Sequence, residues 1–320
     1  MLLYVAPRYP SMVALGGLAY TFGLRHAFDA DHISAIDNTT RKMLQQGKKP
    51  MGVGFFFSLG HSTVVFIISL LLGLATKVVI ESVQSEDSPL KNIGGIIGTT
   101  VSGLFLLLIG ILNLIVFLEI YRVYRGMRAG TLDRHAIEHE LVAGGIMSKV
   151  FGRFFRLISE SWHMYPLGFL FGLGFDTATE VALLAISAGA AAQGLPLLAV
   201  LCLPLIFASG MSLMDTADGA FMCKAYAWAF SNPIRKVYYN LTVTGLSVFV
   251  ALFVGAVELL QLLSDKLGWN GGAWTIIRDI DFNVMGFVIV GTFILTWVVA
   301  FAVWKVRRIE DRWGVMVGPE

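Results

Sequence analysis

Between Arg25 and His32 the chain reads Arg-His-Ala-Phe-Asp-Ala-Asp-His, two imidazoles and two carboxylates inside a stretch otherwise apolar enough for a lipid bilayer. Ionisable side chains at membrane depth cost about 2.5–3.5 kcal/mol each on insertion scales, so they persist where they face a partner, a cavity or an ion. Imidazole nitrogen with carboxylate oxygen and no thiolate suits first-row divalent metals such as nickel, cobalt or zinc, whereas magnesium and calcium prefer all-oxygen shells. At about 100° per residue, Asp29 and His32 share a helix face with His26 near its edge, while Asp31 points elsewhere. One rigid helix cannot present all four to one ion. Either the segment is unwound there, which Gly23 makes easier, or Asp31 supports another helix or orients a liganding imidazole. His61, between Gly60 and Ser62 in the next apolar run, is expected to complete the shell; a satisfied core histidine is the alternative reading.

Three further apolar runs carry polar residues: Phe57 to Thr63, Asp176-Thr-Ala-Thr-Glu180, and Gly210 to Gly219 with Met211, Asp215 and Asp218. Hydroxyls and glycines such as Ser58, Thr63, Thr177 and Thr179 have an ordinary role in close helix packing. Buried carboxylates without cations would have to stay protonated or share protons. Arg25 and Lys224 are the fixed positive charges close by in the sequence, so a divalent cation would supply what is missing. A metal held only by histidines would be trapped, which calls for a second station along the path. Asp176 and Glu180, one helical turn apart, are the expected members, with Asp215, Asp218 and Met211 on the following span; capping of broken helices by these carboxylates is the alternative.

The elements that position these residues follow from composition. With 56% hydrophobic and 14% charged residues, the 320-residue chain reads as an all-α integral membrane protein. Seven segments approach the roughly 20 residues needed to cross a bilayer: Ser11–Asp37, Met51–Lys77, Ile93–Tyr121, Leu167–Ala191, Pro196–Phe230, Val237–Leu263 and Val284–Trp304. None alternates polar with apolar as a barrel strand would, so a helical bundle is predicted, one transmembrane transporter domain over residues 1–320. No signal-peptide pattern precedes the first run, which reads as retained. Basic residues concentrate after the first span (Arg41, Lys42, Lys48, Lys49), in the connection 122–162, around Lys224 to Lys236 and after Trp304, which puts these turns and the C-terminus inside and the N-terminus outside. Phe22-Gly-Leu with Phe28-Asp29 resembles Phe171-Gly-Leu with Phe175-Asp176, and the two spans run in opposite directions. Residues 11–121 and 167–263 are therefore candidate inverted repeats. Cys202 and Cys223 offer neither a disulfide framework nor a Cys-x-x-Cys site and read as packing residues.

The strings His26 to His32, Leu59-Gly-His61-Ser-Thr-Val-Val65, Leu173 to Glu180, and Gly210-Met211 through Gly219 resemble the four signatures of the nickel/cobalt transporter family, NiCoT. The resemblance spans Arg25 to Gly219, and His-x4-Asp-His is its hallmark. It implies a plasma-membrane permease, in a bacterium the inner membrane, that takes up nickel or cobalt as substrate and not as a resident cofactor, with His26, Asp31 and His32 essential and His61 near the selectivity site. Family members are drawn with eight spans and a cytoplasmic N-terminus. The seven visible spans and external start read as if one helix were absent.

Other function classes fit less well. His135-Ala-Ile-Glu138-His139 matches a zinc-protease pattern, but it lies in a short, highly charged inside loop that reads as a solvated helix. A membrane-embedded metalloenzyme would also bury His and Asp, yet the His-x3-His sets of di-iron membrane oxidases are missing. A retinal pump needs a lysine within the final span, and Val284–Trp304 has none. An exporter of the same metals would carry the same ligands. A net charge of +2 with no basic stripe argues against nucleic acid, and no phosphate-binding loop is present, so the chain encodes no nucleotide-driven subunit.

Overall fold

The structure, a computed structural model, describes residues 7–74, 89–129, 158–173, 177–229, 233–269 and 271–317. Every regular element among them is helical: α1 Ser11–His26, α2 Ala30–Gln45, α3 Val53–Leu74, α4 Pro89–Arg128, α5 Met164–Gly172, α6 Ala178–Ala192, α7 Leu197–Val200, α8 Cys202–Ala229, α9 Pro233–Tyr239, α10 Gly245–Leu267, α11 Ala273–Arg278, α12 Phe282–Val306 and α13 Ile309–Val317. Five stretches are long and apolar enough to cross a membrane: Val53–Leu71, Gly95–Arg128, Leu197–Ala229, Val237–Leu267 and Val284–Val306. Apolar side chains are also turned outward, as with Val284, Leu295 and Val298 on α12, which is what a bundle solvated by lipid requires. The chain is a helical membrane bundle.

The first and fourth expected spans are each two helices and not one. α1 ends at His26, and Asp29, with an extended backbone (φ −65°, ψ 144°), starts α2. α5 ends at Gly172, and Thr177, also extended (φ −68°, ψ 144°), starts α6. Asp and Thr are both favoured immediately before a helix, so each break has a residue suited to it. The expectation that Gly23 eases the distortion is corrected by the packing. Gly23 lies within α1, and a Cβ there would run into the carbonyl of Phe207 on α8. Its role is close helix approach.

Gly60 on α3 likewise abuts the Tyr165 carbonyl on α5, with Gly168 reciprocally against Phe57. α4 and α10 cross at Gly103 and Gly255, where a Cβ on Gly255 would lie 2.8 Å from the Gly103 carbonyl oxygen. Two basic residues expected in an inside loop are buried instead. Arg41 and Lys42 belong to α2 and are 0% and 2% exposed. The Arg41 guanidinium contacts Asp37 (3.1 Å), the Tyr226 hydroxyl and the Ser247 hydroxyl, and Tyr226 donates to Asp37 Oδ1 at 2.6 Å. α2, α8 and α10 are thus tied together through one ion pair, because a guanidinium with no water must find acceptors in the protein.

Candidate metal centre

Both helix breaks open at one place. Ending α1 at His26 and restarting at Ala30 turns His26 and His32 toward each other across the gap, with ring centroids 4.7 Å apart. α3 brings His61 against both, at 4.8 Å from each ring. His26, His32 and His61 are 1%, 0% and 4% exposed, and a ligand nitrogen from each can be chosen so that all lie within 4.8 Å of one another.

Carboxylates surround this triangle. Glu180, in the first turn of α6, places Oε1 2.8 Å from His61 Nε2 and 3.8 Å from His26 Nε2, while His26 Nε2 is 3.0 Å from His61 Nε2. Thr177 donates to Glu180 Oε2 at 2.9 Å and so fixes the carboxylate. Asp29 Oδ2 and Thr179 Oγ1 lie 3.0 and 3.1 Å from His26 Nδ1. Asp215, from α8, accepts from His32 Nδ1 at 3.2 Å. With neutral rings and ionised carboxylates, these distances are met when His26 and His32 carry their protons on Nδ1, facing Thr179 and Asp215, and His61 carries its own on Nε2, shared between Glu180 and His26 Nε2. That leaves lone pairs on His26 Nε2 and His32 Nε2, and His32 Nε2 has no hydrogen-bond partner among the described residues. Histidines oriented by carboxylates behind them are the usual support of a metal shell.

The two restarting helices add to the electrostatics. α2 and α6 point their N-termini at the cluster, and the positive ends of their dipoles face Asp29, Asp31 and Glu180. Such carboxylates attract a cation, and the imidazoles supply the borderline-soft donors that a first-row metal prefers. A cavity of about 430 Å³ reaches His26, Asp29, Asp31, His61 and Glu180 from one side. His32 is not part of its lining; it lies deeper, edge-on to Phe57 at 4.8 Å.

The remaining sequence candidates fall in different places. Asp31 stays out of the imidazole triangle and lines the cavity, its Oδ1 accepting from the His32 backbone N–H at 2.9 Å. Glu180 and Asp215, expected at a separate station, stand in the histidine cluster itself. Asp218, one turn beyond Asp215, buries an Oδ2 without a hydrogen-bond partner among the described residues. Met211, one turn before Asp215, packs in the core beside Phe207. Asp176 and the His135–His139 pattern lie outside the described residues. Arg25 and Lys224 are exposed; the buried guanidinium is that of Arg41, which sequence reasoning had assigned to a loop. A signal for the second break was present in Thr177-Ala-Thr-Glu180, a capping-box spacing at the start of a helix. Here the threonine hydroxyl meets the glutamate side chain.

Residues 12–303 match the family described as NicO, high-affinity nickel-transport protein. The chain is 55% identical to the nickel transporter NicT of Mycobacterium tuberculosis over 94% of its own length and 81% of that protein. It is 51% identical to the nickel transporter NixA of Staphylococcus aureus over 95% and 88%, and 43% identical to the cobalt transport protein NhlF of Rhodococcus rhodochrous over 88% and 80%. No solved structure matches.

Proposed function

The chain belongs to the high-affinity nickel-transport family, and from that premise we propose that it takes up nickel or cobalt ions across the plasma membrane through the His26–His32–His61 cluster. The carrying observation is the triangle itself, three buried imidazoles drawn from α1, α2 and α3 with carboxylates of α6 and α8 at hydrogen-bond distance. In this reading His26 Nε2, His32 Nε2, His61 and Glu180 Oε1 bind the ion. Asp29, Thr179 and Asp215 orient the rings, and Asp218 receives the ion beyond Asp215.

The paired breaks at residues 27–29 and 173–177 support a path built at the interface of two inverted repeats, 11–121 and 167–263. Lys48, Lys49, Arg122, Arg125 and Arg128 support an inside position for the ends of α2 and α4, with the N-terminus outside and the C-terminus inside. The test is uptake of radiolabelled nickel and cobalt into proteoliposomes holding the purified protein. Wild type accumulates at least one ion and His26→Ala accumulates neither. Equal uptake by the two proteins would overturn the reading.

A further inference from the structure

The geometry points to a second cation station, on the cavity side of the imidazoles, formed by Asp31 and Glu258 with Ser102 orienting the glutamate, where a hydrated divalent cation is captured before it reaches nitrogen. It rests on the transport reading above. Glu258 lies on α10, outside every signature string, and nothing in its local sequence marks it.

Its depth follows from helix register. α2 and α10 run side by side in opposite directions, since Gln45 donates to Asn240 Oδ1 at 3.1 Å and Arg41, further back along α2, contacts Ser247, further on along the next span. Eleven residues back from Arg41 is Ala30, and eleven forward from Ser247 is Glu258. At about 1.5 Å per residue both steps cover about 16 Å, so Glu258 stands level with the start of α2, where Asp29 and Asp31 are. Both Asp31 and Glu258 line the cavity that reaches His26 and His61.

The placement of Glu258 is rigid. One turn before it, Gly255 packs against Gly103; next to Gly103, Ser102 donates its hydroxyl to Glu258 Oε1 at 3.0 Å. Glu258 and Ser102 are 7% and 4% exposed. Two carboxylates on the wall of one cavity at membrane depth, Asp31 and Glu258, favour a cation between them. On the same α10 face, Gln261 and Asp265 continue the cavity wall toward the turn that the charge pattern places outside. At the inner end of the cavity, buried His61 Nδ1 and Asp29 Oδ1 have no hydrogen-bond partner among the described residues, so polar capacity is waiting for a ligand where the cavity stops.

The order of donors gives the station a purpose. Carboxylate, hydroxyl and amide oxygens can replace the waters of a hydrated ion one at a time, at little cost in donor type. Imidazole nitrogen binds nickel and cobalt more strongly than oxygen does, so the transfer from Asp31 and Glu258 to His26 and His61 runs downhill. A station that is weaker than the next also lets the ion move on.

The test is initial-rate nickel uptake by proteoliposomes, with equilibrium dialysis of nickel on the same purified proteins. Glu258→Gln keeps size and the Ser102 bond but loses the charge. KM is expected to rise about tenfold with kcat unchanged, the signature of lost capture, and the dialysis Kd of the imidazole cluster is expected to stay at the wild-type value. Adding Ser102→Asp to Glu258→Gln returns a carboxylate to the station and is expected to bring KM back toward wild type, which a packing role would not do. An unchanged KM in Glu258→Gln overturns the station, and so does disappearance of both Glu258→Gln and Glu258→Asp from the membrane. A wild-type protein that transports neither ion would instead overturn the transport reading on which the station rests.

Discussion

Asp215 touches no ion in this arrangement, yet its loss should be felt at the metal. Its Oδ2 accepts the His32 Nδ1 proton at 3.2 Å, and both groups are almost wholly buried, 1% and 0% exposed. The bond holds the tautomer that leaves His32 Nε2 as a lone pair. In Asp215→Asn the side chain keeps its shape but loses its charge, and an amide N–H turned toward Nδ1 would favour the other tautomer, with a proton on Nε2 where the metal binds. Removing an orienting carboxylate of this kind weakens metal affinity about 10- to 100-fold, about 1.4–2.8 kcal/mol. Equilibrium dialysis of nickel on the purified variant measures Kd directly, and a thermal melt of the same sample reports whether the fold survives. The expected result is a Kd raised within that range, milder than the loss in His32→Ala. A well-folded Asp215→Asn with wild-type Kd would refute the orienting role and the His32 tautomer argued from it.

Further outcomes follow from other contacts. Metal must displace protons from imidazole, whose unperturbed pKa is about 6.5, so nickel affinity should fall steadily as pH drops from about 7 to 5; dialysis that is flat across the range would remove histidine from the shell. Arg41→Gln leaves Asp37 buried without its cation, a change that costs about 3–5 kcal/mol in known buried pairs. A large drop in melting temperature is expected, and Asp37→Asn in the same chain should recover part of it; additive losses would mean the pair is not coupled. Gly60→Ala drives a methyl group into the Tyr165 carbonyl, and overpacking of this kind costs about 1–3 kcal/mol. Its melting temperature should fall, and a wild-type melt would mean α3 and α5 are not in this close contact.

The types of the central residues were legible because imidazole and carboxylate are conspicuous in an apolar run, and 100° per residue left two readings, an unwound segment or an Asp31 turned away from the shell; the fold has a break between His26 and Ala30 and also an Asp31 outside the imidazole triangle. The apolar runs were legible as bundle helices for the same reason of composition. What closes the site was not. Glu180 and Asp215 meet His61 and His32 across 119 and 183 residues of chain, a pairing set by how α6 and α8 pack and not by any local period. Arg41 read as a loop cation because basic residues near span ends usually are; its acceptors, Tyr226 and Ser247, come from helices about 200 residues on. Glu258 is a lone charge between Gly245 and Ser264 of α10, and only its register against α2 gives it a neighbourhood. Gly23 looked like a hinge in the sequence and is a packing contact in the fold, because absence of a Cβ serves both purposes and only the neighbouring helix decides.

The most direct measurement is nickel K-edge X-ray absorption on the purified, nickel-loaded protein, alone and as His26→Ala, His32→Ala and His61→Ala. A shell with imidazole scattering from three rings at about 2.0–2.1 Å is expected, and each variant that still holds nickel should show one ring fewer. A wild-type spectrum with oxygen donors only, unchanged in the histidine variants, would contradict the account.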